Sequence, residues 1–95
     1  MDISWDPKKA KSNIRKHHVS FTEASTVFED PYATRAPDKG DPEREVITGY
    51  SAEEHVLVVV HIEYVTEGDP VWVRIISARK ATPKERRAHQ KGEPL

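Results

Sequence analysis

The sequence predicts a single small α+β domain, with two N-terminal helices, a three- to four-stranded antiparallel sheet and a C-terminal helix. Three observations carry that expectation. Helix-start signals stand at residues 6–7, 20–23 and 82–85, three β-branched runs lie between the last two signals, and the connections between those runs are short. The length of 95 residues suits one domain with a modest core, and no linker or repeat divides it.

Asp6-Pro7 opens the first helix, with Asp as the N-cap and Pro at the first helical position, where its missing N–H costs nothing. This helix is expected to reach about Lys16, with Ala10 and Ile14 on the buried side and Trp5 anchoring its start. His18 follows where a chain turning between helices often wants glycine, so a left-handed backbone is expected there. Ser20-Phe21-Thr22-Glu23 reads as a capping box, with Val19 available to staple against Ala24. The second helix then presents Phe21, Ala24, Val27 and Phe28 to the core, and Asp30-Pro31 stops it.

Residues 31–42, PYATRAPDKGDP, read as a loop with at most a short edge strand. Strands are expected over 43–50, 55–64 and 71–79, joined by SAEE and VTEGDP into a meander. The run VLVVVHI makes the middle strand central. Strict alternation on the third strand would put Val71, Val73, Ile75, Ser77 and Arg79 on one face, and Trp72, Arg74, Ile76 and Ala78 on the other unless a bulge intervenes. Thr82-Pro83-Lys84-Glu85 is a second capping box, opening a last helix to about Gln90, with Gly92 and Pro94 beyond it.

The charge pattern says more than the net charge of −1. Residues 8–18 hold five Lys or Arg, two His and no acid, and residues 79–91 hold six Lys or Arg and one acid. Between them, residues 23–69 carry twelve acids against Arg35, Lys39 and Arg44. A local field of this kind survives physiological salt over roughly 8–10 Å and attracts anions, whereas each basic helix taken alone could be merely a solvated face. The chain has no cysteine, no run near the ~20 apolar residues of a membrane span and no apolar signal core, so a cytoplasmic location is expected.

The residues also sort the chemistry. The five histidines offer neither HExxH nor a His-x3-His pair, and no cysteine joins them, so no metal or other cofactor is expected. Ser77 lacks a G-x-S-x-G setting, and no Gly-rich phosphate loop occurs. A site of Arg, Lys and His remains, and it suits cleavage of RNA by its own 2′-hydroxyl. There the protein positions the strand, moves protons and neutralises a pentacovalent phosphate. The candidate catalytic residues are His17, Ser77, Arg79 and His89, with His17 as the first proton carrier and His89 in reserve. Lys8, Lys16, Arg74, Lys80 and Arg86 are candidate RNA contacts. Structural readings compete at several positions: Glu85 closes a capping box, Arg74 could lie over Trp72, and His61 sits in an apolar strand where a core histidine is the default. The alternative function is a non-catalytic module that binds RNA or protein through the same basic surface.

Three blocks, WDPKKAKSNIRKHHVSFTEASTVFEDP (5–31), ER…GYS (43–51) and RIISARKATPKER (74–86), resemble the BrnT family of bacterial toxins. The resemblance spans almost the whole chain. It implies a RelE-like fold and a ribonuclease that halts translation. It also implies a BrnA-type antitoxin with a ribbon-helix-helix domain, a toxin–antitoxin heterotetramer, and DNA contact only through that complex. The matching positions are Trp5, Lys16, His17, Arg44, Arg74, Ser77, Arg79 and Glu85; the resemblance thereby adds Arg44 to the catalytic candidates and gives Trp5 and Glu85 supporting roles. The chain departs from the family pattern at His18, where glycine is usual, at His89, where tyrosine tends to stand, and over Tyr64, Val65 and Thr66, where an arginine commonly ends the central strand region.

Overall fold

The structure, a computed structural model, describes residues 1–65 and 71–93. The elements follow in the order β1 (Asp2–Trp5), α1 (Pro7–His17), α2 (Phe21–Ser25), a 3₁₀ turn (Thr26–Glu29), β2 (Thr34–Pro37), β3 (Glu45–Tyr50), β4 (Val56–Tyr64), β5 (Trp72–Lys80) and α3 (Pro83–Gln90). The α+β class and the antiparallel β3-β4-β5 meander stand as expected. Most of the connection between β4 and β5, and Pro94, lie outside the described residues.

The sheet differs from expectation in size and direction. It has five strands in the order β1-β5-β4-β3-β2, and β1 pairs parallel to β5 from Asp2↔Trp72 to Trp5↔Ile75. Four residues ahead of a helix carry too little alternation to read as a strand on their own, and pairing with β5 supplies the rest. β2 is the short edge strand that the proline-rich loop permitted, antiparallel to β3.

The helix-start chemistry is seen in detail. Asp6 accepts from the Lys8 amide, and Thr82 and Glu85 complete a reciprocal capping box. At α2 only half of the box forms. Ser20 accepts from the Glu23 amide, but the Glu23 carboxylate instead accepts from the Ser51 hydroxyl at 2.7 Å and meets His55 Nδ1 at 2.8 Å. Burial pushes that carboxyl up, yet the hydrogen bonds from Ser51 and His55 outweigh it and hold the group below its usual range. His18 adopts φ 58° and ψ 31°, the left-handed turn that lets α1 double back into α2. Trp5 meets Phe21 edge-on at 6.0 Å, so its place is structural.

The main core lies between the helices and one face of the sheet, with Phe21, Ala24 and Val27 packed on Ile47, Leu57, Val59, Ile75 and Ala78. Ile14, expected inside, is 48% exposed. The buried residue of α1 is Asn13. Its side-chain amide donates to the Ala78 carbonyl at 2.8 Å and to the Val19 carbonyl at 2.9 Å, and accepts from the Ala78 amide at 3.1 Å. Asn13 thus satisfies both backbone groups of Ala78 beyond the end of β1, acting as one residue of an extra strand.

A register shift corrects the expected faces of β5. His61 pairs with Ile75 but Val60 pairs with Ser77, so Ile76 is an extra residue in the ladder. Val73, Ile75 and Ala78 consequently face the main core. Arg74, Ser77 and Arg79 share the opposite face with their partners Ile62, Val60 and Val58.

Asn13→Ala is expected to lower unfolding stability by roughly 2–4 kcal/mol. It removes three hydrogen bonds and orphans three buried backbone groups, the Val19 carbonyl and both groups of Ala78. Urea unfolding followed by circular dichroism measures this, and a loss under 1 kcal/mol would contradict the assigned role.

Candidate active site

The second sheet face carries a cleft of about 800 Å³. Val46, Val58 and Val60 form its floor, Ser77 and Arg79 of β5 one wall, and Thr82, Lys84, Glu85 and Ala88 of α3 another. His17, at the end of α1, Pro37, at the end of β2, and Asp38 and Lys39, just after it, close its rim. A smaller hollow continues from it past His17 and Ser77 to Lys9, Ser12 and Lys16.

Each wall has a local cause. Ala10, Asn13 and His17 fall at helical spacing on one stripe of α1, so the anchoring of Asn13 on Ala78 carries His17 to the side of β5 that holds Ser77. Three Lys or Arg and one acid sit in the first turns of α3, and its start is fixed by Thr82 and Pro83. Ala81 packs with Val56, Val58 and Val46 under the helix, which sets α3 across the sheet.

Arg79 is the cleft cation that a carboxylate holds. Its two terminal nitrogens donate to the Glu85 carboxylate at 2.6 and 2.9 Å, and Glu85 also accepts from the Thr82 amide at 2.9 Å. Arg79 beside it holds the Glu85 carboxyl down at about 2, from its usual 4.5. Hydrogen bonding to Glu85 in turn raises Arg79. One carboxylate therefore orients the guanidinium; Nη1 also donates to the Lys80 carbonyl at 3.4 Å, which leaves the Nε–H and one Nη2–H for another acceptor.

The structure brings His17, Ser77, Arg79 and Glu85 to one cleft, with Lys16 beside it. It does not bring the other sequence candidates there. Arg44 sits in the loop before β3 with Nε 3.4 Å from an Asp41 oxygen, outside hydrogen-bond geometry, and lines neither hollow. The acidic turn Asp38–Asp41 holds it, a local pairing that strand alternation could not reveal. His89, the reserve proton carrier, is 6% exposed. It packs against the Tyr50 ring, 4.0 Å from Asp30, because α3 lays that side on β3. Lys80, Arg86 and Lys8 also lie off the cleft lining, and Arg74 shares the sheet face further along β5. Lys39, Lys84 and Asp38 were missed. Lys84 lies inside the second capping box and Lys39 in a PDKG turn, both of which read as structural punctuation.

The five histidines do not converge. His55 joins Glu23 and Glu53, while His61, fully buried, meets Glu45 at 3.0 Å near Glu63. Burial pushes His61 down, although the adjacent Glu45 favours its charged form. Arg35 bridges Glu45 and Glu63 at 3.0 and 3.3 Å, so a guanidinium already occupies that cluster. Among the described residues, no helix is long and apolar enough to cross a membrane.

A family profile described as "Ribonuclease toxin, BrnT, of type II toxin-antitoxin system" matches residues 5–85. The crystal structure of the Brucella abortus ribonuclease toxin BrnT is similar to the chain at 25% sequence identity and a TM-score of 0.66. The match covers 86% of this chain and 97% of that one. A search of curated proteins returned no match.

The low Glu85 value sets a pH test. A depressed carboxyl adds stability that is present above about 4.5 and is lost as pH falls towards about 2. Thermal unfolding of the wild type is expected to lose stability across that window. Glu85→Gln, less stable at neutral pH, is expected to show a flatter profile there, and parallel profiles would contradict the pairing.

Proposed function

Because the chain belongs to the BrnT ribonuclease toxin family of type II toxin–antitoxin systems, we propose that its cleft is the site of a metal-independent endoribonuclease acting through the substrate 2′-hydroxyl. The observation that carries this reading is the meeting of both cationic chain ends at one hollow: His17 from the first basic run, Arg79 and Lys84 from the second. The donor set favours chemistry without a metal. Glu85 is engaged by Arg79, so Asp38 is the one other carboxylate of a lining that otherwise carries His17, Lys39, Arg79 and Lys84, a set suited to charge neutralisation by cationic side chains.

In this reading the 2′-oxygen attacks the neighbouring phosphorus, the bond to the 5′-oxygen breaks, and a 2′,3′-cyclic phosphate and a 5′-hydroxyl result. The proton lost by the 2′-hydroxyl is balanced by one delivered to the 5′-oxygen. His17 is the proton carrier, Ser77 hydrogen-bonds the phosphate, and Arg79, held by Glu85, neutralises the added charge with Lys39 and Lys84 nearby. Lys16 meets the strand as it leaves the cleft. The valine floor excludes water from one side of the phosphate and strengthens these interactions. Arg44 and His89 act outside the reacting centre.

Cleavage of RNA by the chain inhibits translation in the cytoplasm. A BrnA-type ribbon-helix-helix antitoxin neutralises it by covering the cations, in a heterotetramer that meets DNA only through the antitoxin. The toxin family supports an antitoxin partner, and the exposed cleft gives it a surface to block.

Purified protein is expected to cleave RNA in the presence of EDTA, leaving cyclic phosphate ends, and to spare a strand with 2′-deoxyribose at the mapped position. Arg79→Ala is expected to lower kcat roughly a hundred- to a thousand-fold, the range for losing one preorganised charge-stabilising donor. Cleavage that requires a divalent ion, or an Arg79→Ala variant of full activity with its fold intact, would contradict the proposal.

A further inference from the structure

The sheet face that floors the cleft continues beyond it. Past Ser77, the bulge at Ile76 keeps Arg74 on this face rather than turning it into the core. Two residues further along β5 stands Trp72, and its cross-strand partner Tyr64 stacks on it with ring centroids 4.2 Å apart and an interplanar angle of 14°. Helices α1 and α2 pack on β5 from the opposite face, where they meet Ile75 and Ala78. Val60, Ile62, Arg74, Trp72 and Tyr64 are accordingly half-buried, while Val59, His61, Val73 and Ile75 on the core face are buried.

This arrangement differs from the pairs Trp5 with Phe21 at 76° and Phe28 with His61 at 82°, which meet edge-on. A near-parallel column on an open sheet presents π-faces in the geometry that a nucleobase uses to stack. It stands four to five strand residues from Ser77, about 15 Å along β5. Arg74 lies between column and cleft, where a guanidinium meets either a phosphate or a base plane. Asp2 of β1 pairs beside Trp72, so the acid there favours a base over a phosphate at the aromatic end.

We infer that Tyr64 and Trp72 form a base-stacking seat for a nucleotide of single-stranded RNA lying several positions from the scissile phosphate, with Arg74 guiding the strand between seat and cleft. This inference rests on the ribonuclease reading and extends it. The seat recognises an unpaired base by its π-face, so it selects single-stranded RNA over duplex without demanding one base identity. It acts as a positioning site: it touches substrate away from the reacting atoms and holds the strand in register over His17, Ser77 and Arg79.

The test compares binding of a 2′-O-methyl octanucleotide, which resists cleavage, with that of the dinucleotide spanning a mapped cleavage position, for the wild type, Trp72→Ala and Trp72→Phe. The octanucleotide is expected to bind Trp72→Ala roughly ten-fold more weakly than wild type, within the span that truncating a base-stacking aromatic produces. The dinucleotide is expected to bind both alike, and Trp72→Phe is expected to recover most of the octanucleotide affinity. With all-ribose octanucleotide, KM should rise in Trp72→Ala while kcat holds. Equal octanucleotide affinity in wild type and Trp72→Ala would overturn the seat, as would an equal loss for both ligands. Unchanged RNA binding with loss of binding to a partner protein would likewise overturn it and assign the face to that protein. A wild type that binds the octanucleotide through Trp72 but leaves the all-ribose strand uncut would remove the nuclease reading and keep the seat.

Discussion

One buried amide holds the two halves of this molecule in register. Asn13 reaches from the middle of α1 to both backbone groups of Ala78 and to the Val19 carbonyl. A helix packed on a sheet by apolar contacts alone can slide, because such contacts are non-directional. Three hydrogen bonds to fixed backbone groups cannot slide without leaving buried polar atoms unpaired. The clamp therefore sets where the last turn of α1 ends, and so where His17 stands relative to Ser77 and Arg79.

The site side of the sheet depends on a second local irregularity. Without the extra residue at Ile76, period-two alternation would send either Arg74 or the pair Ser77 and Arg79 into the helical core. The bulge puts all three on the open face while Val73, Ile75 and Ala78 remain buried. Ala78 is both the first core residue after the bulge and the backbone that Asn13 grips. Clamp and bulge thus meet at one point of β5. The third element is the carboxylate of Glu85, which caps α3 through the Thr82 amide while aiming Arg79. A single acid fixes a helix start and a guanidinium together. That coupling explains how a cation can stay ordered beside Lys84 and Arg86 rather than splay into solvent.

Much of this was legible in the sequence because it was local. Caps at Asp6, Ser20 and Thr82, the left-handed His18 and the β3-β4-β5 meander each follow from residues within a few positions of one another. What the sequence hid was long-range. The β1 pairing needs a partner about seventy residues away, and Asn13, a polar residue within a basic run, looks like a solvated position until Ala78 lies beside it. Ile14 was expected inside because it is the one large apolar residue of α1, yet tertiary contact selected Asn13 instead. Of the candidate site, His17, Ser77, Arg79 and Glu85 were found from strand phase, charge grouping and family resemblance together. Arg44 and His89 fell elsewhere, since an Asp41 neighbour and a Tyr50 surface leave no trace in spacing.

The central claim is that Asn13 and the β5 bulge assemble one phosphodiester seat from the two cationic ends of the chain. Backbone amide shifts on titration with a 2′-deoxy-blocked RNA strand test it most directly. The account predicts that the largest changes fall at residues 16–17, 77–79 and 84–85 together, with the clusters around His55 and His61 silent. Changes that gather on α2 and the β3-β4 turn, with 77–79 unmoved, would contradict it.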